Sequence, residues 1–175
     1  MEYFTRYGSP LGEITLTGDG TALTGLWLPG QNQHPDIPER QAAGNDFPGF
    51  ADTVRWLDLY FAGKDPGFVP AIRLNTTPFR KEVCGLLLRI PYGRTTTYGE
   101  IARRIAKDRG ILRMSAQAVG GAVGHNPVSV IIPCHRVLGA NGELTGYAGG
   151  IGYKVKLLET EGIDPDKKPE DIFRF

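Results

Sequence analysis

Two cysteines occur in the 175 residues, and one of them sits where a thiol could do chemistry. Cys134 lies in "VSVIIPCHRVLG", between a proline and a histidine and directly after a run rich in β-branched residues. A proline-initiated turn at that point can leave backbone N–H groups aimed at the sulfur, which lowers a thiol's pKa. His135 adjoins it, yet neighbours in sequence usually point apart. A direct Cys–His pair is therefore not implied, although an intervening water relaxes that demand. On the residues alone two readings stay open: a small hydrophobe filling the core, or a nucleophile. Cys84, beside Val83 in an apolar helical stretch, reads as core filler.

Glu161 is a second signal. With Glu159 it lies at the end of "IGYKVKLLETEG", just before Gly162, where the helix dipole disfavours carboxylates. Either one of them is held by a positive or proton-donating partner such as His135, or both are solvated at modest cost. The stretch "GELTGYAGGIGYK" fits neither G-x-x-x-x-G-K-[ST] nor G-x-G-x-x-G. It reads as a flexible loop wrapping a site, with Tyr147 as an aromatic wall. Three histidines without Cys-x-x-Cys or His-x-x-x-His give no metal motif.

The elements that must position these residues follow from periodicity. "LGEITLTG" alternates as a strand, and "ALTGLWL" follows a Gly-Asp-Gly turn as another. Residues 29–49, rich in Pro, Gly, Asn and Gln, read as a long surface loop. "FADTVRWLDLYFAG" predicts a helix with Phe50, Val54, Leu57 and Phe61 on its core stripe and Gly63 at its C-terminus. A domain boundary is expected near 70–78, giving domains 1–77 and 78–175. Thr77-Pro78 is an N-cap followed by proline at the first helical position, and Phe79, Val83, Leu86, Leu87 and Ile90 keep helical spacing. "TTTYGEIARRIAK" opens the next helix with a capping box, Thr97 and Glu100. After "DRGIL", "RMSAQAVGGAVG" is a third helix made almost wholly of small residues. Helix, short turn, helix is a helix-turn-helix pattern. The small face (Ser115, Ala116, Ala118, Gly120, Gly121, Ala122) suits close approach to a narrow groove, or equally a tightly packed protein neighbour.

Hydrophobic content of 41% and charged content of 22% are those of an ordinary globular protein. No apolar run is long enough to cross a bilayer, no secretory signal is visible, and a reducing cytoplasm is the simplest setting for the two thiols. Net charge is only +1, but residues 80–113 carry nine Lys/Arg against three Asp/Glu. Such a patch can attract a polyanion without a basic overall pI, or can be a solvated helix face.

"NPVSVIIPCHRV", "TTTYGEIA", "SAQAVGGAVG" and "GYAGG…LLETEG" together resemble the O6-alkylguanine-DNA alkyltransferases, the methylated-DNA–protein-cysteine methyltransferases. The match is dense from about residue 78 to 162 and general in layout before that. The resemblance implies an α/β protein with a small ribonuclease-H-like N-terminal domain. It also implies a mainly helical, winged-helix-like C-terminal domain that binds the minor groove of double-stranded DNA. Cys134 would then accept the alkyl group of O6-alkylguanine, and of O4-alkylthymine, in one irreversible turnover after base flipping. His135, through a water and backed by Glu161, would remove the thiol proton, and Asn126 would brace the turn. Tyr98 would rotate the nucleotide outward and donate a proton toward guanine N3. The carbonyls of Cys134 and Val137 would read the exocyclic amine; Tyr147 and Ala148 would close over the base, and Lys154 would order the loop. DNA contacts would come from Arg94, Thr95, Tyr98, Arg103, Arg113, Ser115, Ala116, Gln117, Gly120 and Gly121. Neither cofactor nor metal is implied, and the protein would act as a monomer, with cooperative assembly on DNA left open. Many members carry an arginine where this chain has Gln117, which puts the efficiency of flipping in doubt. The alternative, a lesion sensor or helix-turn-helix regulator without chemistry, is disfavoured by Cys134, since non-catalytic relatives have tryptophan there.

Overall fold

The computed structural model describes residues 1–31, 41–147 and 149–175. They form two compact units, Met1–Asn75 with Pro127–Ile131, and Thr76–Asn126 with Ile132–Phe175. A single cut at 77/78 yields contiguous pieces, whereas the first unit also takes in five residues from far along the chain.

The first unit is built on a four-stranded sheet in the order β3-β2-β1-β4. β1 (Tyr3–Ser9) and β2 (Gly12–Gly18) pair antiparallel across a two-residue loop, and Gly12 supplies the φ of 105° that this loop requires. β3 (Leu23–Trp27) pairs antiparallel to β2. β4 (Gln41–Ala42) runs parallel to β1, a short strand inside the segment expected to be loop. The simple alternation expected for β2 does not hold: Thr15 and Thr17 are buried as well as Ile14 and Leu16. An inner strand covered on both faces has no solvent side, so its threonines must be satisfied internally, as Thr17 is by the Thr24 hydroxyl at 3.1 Å. The outer edge of β3 is covered twice. Leu23 exchanges backbone bonds with Ala71 and Arg73, and Leu26 with Pro127 and Ser129. An edge closed in this way cannot template strand addition.

α1 (Ala51–Phe61) buries Thr53, Trp56, Leu57 and Tyr60 rather than the expected Val54 and Phe61. The core stripe is rotated because the large amphipathic rings take it. Trp56 stacks on Tyr60 at 5.0 Å and donates its indole N–H to the Phe68 carbonyl at 2.9 Å. Burying those two rings outweighs burying a valine.

In the second unit, α2 (Pro78–Leu87) starts at Thr77, whose hydroxyl accepts from Arg80 N–H at 3.3 Å. α3 (Tyr98–Arg109) starts at Thr97, which accepts from Glu100 N–H at 3.1 Å. Only that half of the expected capping box forms, because the Glu100 carboxylate turns to Arg103 and Arg174 instead. α4 (Ala116–Gly124) is capped by Ser115 at 3.1 Å. Each such cap contributes about 1 kcal/mol. β5 (Thr96–Thr97) runs parallel to β6 (Val137–Leu138), and α5 (Ile151–Thr160) follows, with Gly162 at φ 78° beyond its end. The final residues strap onto β5: Phe173 N–H donates to the Thr95 carbonyl at 2.7 Å, and Thr96 Oγ1 donates to the Phe173 carbonyl at 2.8 Å. Among the described residues, no helix is long and apolar enough to cross a membrane, and no cluster of His, Cys, Asp or Glu could hold a metal.

Candidate active site

The run "VSVII" has the composition of a buried strand, yet it makes one bridge, Val128 to Leu26, and then turns. Two three-residue turns set the path. Ile131 N–H donates to Ser129 O at 2.9 Å around Val130, which has a φ of 72° and is the only non-glycine at positive φ among the described residues. A β-branched residue there is strained, and such strain persists only where the surroundings over-determine it. Cys134 N–H then donates to Ile132 O at 2.8 Å around Pro133, whose φ of −83° and ψ of 63° are those of an inverse γ-turn. The amide of Asn126 donates to the same Ile132 carbonyl at 2.8 Å. Cys134 thus opens a single 3-10 turn, Cys134–Arg136, with its position fixed by Asn126 from the end of α4.

Cys134 is 4% exposed. Burial pushes its thiol up, against the Asn126 amide, the Lys154 charge and the Tyr147 hydroxyl, all of which favour the thiolate. Its resting form is therefore the thiol. Cys84 is buried too and pushed up to about 11, chiefly by burial, as befits core filler.

Behind Cys134 lies a buried charged network. His135 is fully buried, with Nε2 3.4 Å from the Glu161 carboxylate. Burial lowers the His135 pKa more than Glu161 raises it, so the imidazole is neutral at pH 7 and able to take a proton. Burial raises the Glu161 carboxyl, but hydrogen bonds and charge from His135 and Arg136 outweigh it and hold the group below the usual range. Arg136 donates from Nε to both Glu161 oxygens, at 2.9 and 3.1 Å, and also from Nη2; its Nη1 reaches the Ile90 carbonyl at 2.7 Å. Sequence reasoning missed Arg136. The available signal was a cation directly after a buried turn, which needs a buried partner.

Lys154, fully buried, donates to the Val137 carbonyl at 2.6 Å and the Thr145 carbonyl at 2.9 Å, and burial pulls its pKa down to about 8. Tyr98, the first residue of α3, donates its hydroxyl to that same Thr145 carbonyl at 3.2 Å, and burial raises its pKa. One carbonyl of the 139–150 loop therefore joins Tyr98 to Lys154. Val137 O, already serving Lys154, keeps a second lone pair for another donor. Ala148 lies outside the described residues.

A cavity of ≈ 790 Å³ opens beside this cluster, lined by Tyr98, Gln117, Gly120, Gly121, Thr145 and Tyr147 among others. The small face of α4 borders it in the open: an added Cβ at Gly121 or Gly124 would meet nothing within 4 Å. The rest of the stripe is packed within the unit: Ala122 is buried, and a Cβ at Gly120 would meet the Tyr98 ring at 3.8 Å. Ser115, Ala116 and Gln117 are exposed, as are Arg103 and Arg113. Arg103 is paired to Glu100. Arg94 and Thr95 are placed differently. Arg94 reaches Asp171 at 3.1 Å, and Thr95 is buried beneath the C-terminal strap.

A buried thiol with a charged network behind it, near a cavity lined by Tyr98 and Tyr147 and bordered by a helix-turn-helix, has the make-up of a DNA-binding protein with thiol chemistry. The comparisons place it further. Residues 78–163 match the 6-O-methylguanine DNA methyltransferase, DNA binding domain, and residues 3–71 match the ribonuclease-like domain of the same family. The chain belongs to this family. It is 42% identical over 175 residues to the methylated-DNA–protein-cysteine methyltransferase of Mycobacterium bovis, covering 100% of this chain and 99% of that one. The protein of the same name from Methanosarcina acetivorans is 39% identical over 160 residues, covering 91% and 98%. The crystal structure of Mycobacterium tuberculosis O6-methylguanine methyltransferase superposes with a TM-score of 0.79 at 41% identity, covering 98% and 97% of the two chains. That of Mycobacterium tuberculosis OGT in complex with DNA gives 0.78 at 42% identity, covering 91% and 92%.

Proposed function

We propose that the protein repairs DNA directly, moving the alkyl group of O6-alkylguanine onto Cys134. The observation that carries this is the buried Cys134 thiol, set by Asn126 beside the His135–Glu161 pair and close to Tyr98 and Tyr147, which line a cavity large enough for a base. Domain 78–175 holds both the DNA face and the acceptor. The lesion enters from the minor groove of the duplex as the base leaves the stack, which costs a few kcal/mol. The open small face of α4 is suited to that approach.

The thiol proton passes through a water to neutral His135, whose imidazolium is stabilised by Glu161. The thiolate attacks the alkyl carbon in line, the S–C bond forms, and the C–O6 bond breaks with its electron pair going to guanine. Tyr98 leaves the Thr145 carbonyl and gives its proton to guanine N3; the proton on His135 returns through water to the tyrosinate. Val137 O and Cys134 O accept from the exocyclic amine, and Tyr147 closes over the base. The thioether is stable, so each molecule acts once, as a monomer. O4-alkylthymine has the same alkyl–oxygen bond and enters the same cavity. Two free buried thiols suit a reducing cytoplasm.

Intact-protein mass spectrometry after incubation with an O6-methylguanine duplex tests the proposal. One methyl per molecule, located on Cys134, is expected; modification elsewhere or repeated turnover would refute it.

A further inference from the structure

The connector between α3 and α4, residues 110–115, exceeds the turn of about three or four residues usual in a helix-turn-helix. Both of its ends are fixed. Gly110 adopts a φ of 63°, Ile111 N–H bonds back to Ala106 O at 3.0 Å, and Ser115 caps α4. The fixed connector projects two apolar side chains into solvent: Leu112 is 96% exposed and Ile111 43%. Single exposed leucines are ordinary, but this one has a specific setting. Lys107 and Arg113 lie beside it, and among the described residues neither has an ion pair, whereas Arg103 and Arg109 are neutralised by Glu100 and Glu82. The tip borders a cleft of ≈ 850 Å³ whose lining includes Gly99 and Ala116. Gly99 and Ala116 also line the ≈ 790 Å³ cavity beside Tyr98 and Tyr147. The apolar tip and the base-receiving cavity are thus continuous across the starts of α3 and α4.

We infer that Leu112, with Ile111 beside it, is a second DNA contact, pressing against sugar and base edges next to the extruded nucleotide while Lys107 and Arg113 meet the flanking phosphates. The inference rests on the duplex-repair reading above. The tip suits DNA better than a protein. Two apolar side chains alone fall short of the roughly 800 Å² per partner of a stable protein interface. The unpaired cations beside them suit a polyanion, and proteins that bend or open a duplex set apolar side chains against its base steps.

Duplex affinity of wild type, Leu112→Ala and Arg113→Ala, measured by anisotropy over a range of salt, tests this. A 2-aminopurine beside the lesion reports unstacking. Leu112→Ala is expected to weaken binding about ten-fold and to dim the 2-aminopurine response, with the slope of log K against log[salt] unchanged because no phosphate contact is lost. Arg113→Ala is expected to reduce that slope by about one. The exposed position leaves the melting temperature of Leu112→Ala unaltered. Unchanged affinity and fluorescence in Leu112→Ala, with wild type binding normally, would refute the tip alone. So would an effect of that substitution confined to self-association without DNA. Failure of wild type to bind the lesion duplex would overturn the repair reading and this inference together.

Discussion

Glu161→Gln removes one charge while keeping shape, and it strikes the group that His135 and Arg136 share. The carboxylate accepts from Arg136 Nε at 2.9 and 3.1 Å and faces His135 Nε2 at 3.4 Å, all within the core. The amide keeps one acceptor oxygen and turns N–H groups toward a guanidinium or an imidazole. Arg136 is left as a buried cation with the Ile90 carbonyl at 2.7 Å and the Tyr92 ring at 5.8 Å. Removing one partner of a buried pair costs about 3–5 kcal/mol. The lower end applies, because Ile90 O and the ring still receive the cation. That is a large share of the roughly 5–15 kcal/mol that holds a domain together. For the chemistry, the imidazolium formed when the thiol is deprotonated loses its counter-charge, and a fall of about 100-fold or more in the transfer rate is expected. The assay is single-turnover alkyl transfer from an O6-methylguanine duplex, followed by intact mass, beside chemical denaturation of the same sample. A variant that loses stability yet transfers at the wild-type rate would refute the relay and leave Glu161 a purely structural anchor.

Acid acts in the same direction as that substitution. Glu161 is held below the usual carboxylate range, so its contribution is present above about pH 4.5 and lost as pH falls through its lower folded value. His135 is lowered by burial, so below pH 6.5 the unfolded chain takes up a proton that the folded chain refuses. Denaturation midpoints are therefore expected to decline progressively from about pH 6.5 downward; constancy to pH 4 would contradict the buried network. Tyr98→Phe loses an exposed hydrogen bond to Thr145 O and is expected to cost under about 1 kcal/mol of stability. Its transfer from duplex should nevertheless slow about 10- to 100-fold, and an unimpaired rate would remove the proton-donor role. Gln117→Arg places a cation on the exposed face of α4 at the cavity rim; binding should strengthen, with the salt slope steeper by about one, and an unchanged slope would show that position 117 faces away from phosphate.

Much of this was legible in the sequence where the interaction is local. The N-caps at Thr77 and Thr97 each satisfy a donor three residues on, and such spacing can be read directly; Ser115, read as part of the small face, does the same for α4. The awkward carboxylates at the end of α5 asked for a partner such as His135 or for solvent, and Glu161 takes the partner, together with Arg136. What escaped depends on contacts remote in sequence. Arg136 is buried through Ile90 and Glu161, 46 and 25 positions away, and no local pattern marks it. Arg94 and Thr95 read as DNA contacts, but the last five residues, which no periodicity distinguishes, pair with the first and strap over the second. The core stripe of α1 slipped because hydropathy ranks Val and Phe above Trp and Tyr, whereas ring stacking and the indole bond to Phe68 decide the face. "VSVII" misled for a similar reason. Burial on every side looks alike in a strand and in a strained turn.

The same burial explains a feature that would count against most catalytic cysteines. Reactive thiols are ordinarily exposed and held as thiolates by a lowered pKa. Cys134 is 4% exposed and its thiol is pushed up. An acceptor that reacts once and is not regenerated gains from this, since a resting thiolate open to solvent would be lost to oxidants and stray electrophiles. Under the proposed repair reaction, activation comes with the lesion, as the base fills the cavity and Tyr98 is drawn from Thr145 O. Thr145 O also accepts from Lys154, whose charge favours the thiolate and whose pKa of about 8 leaves it mostly protonated at neutral pH. Once Tyr98 leaves, Lys154 is the remaining side-chain donor at that carbonyl and still holds the loop. A cation whose charge favours the thiolate therefore stays in place at the moment the thiol must ionise. Resting inertness and reactivity toward the lesion can then arise from one set of buried groups, with base entry as the switch between them.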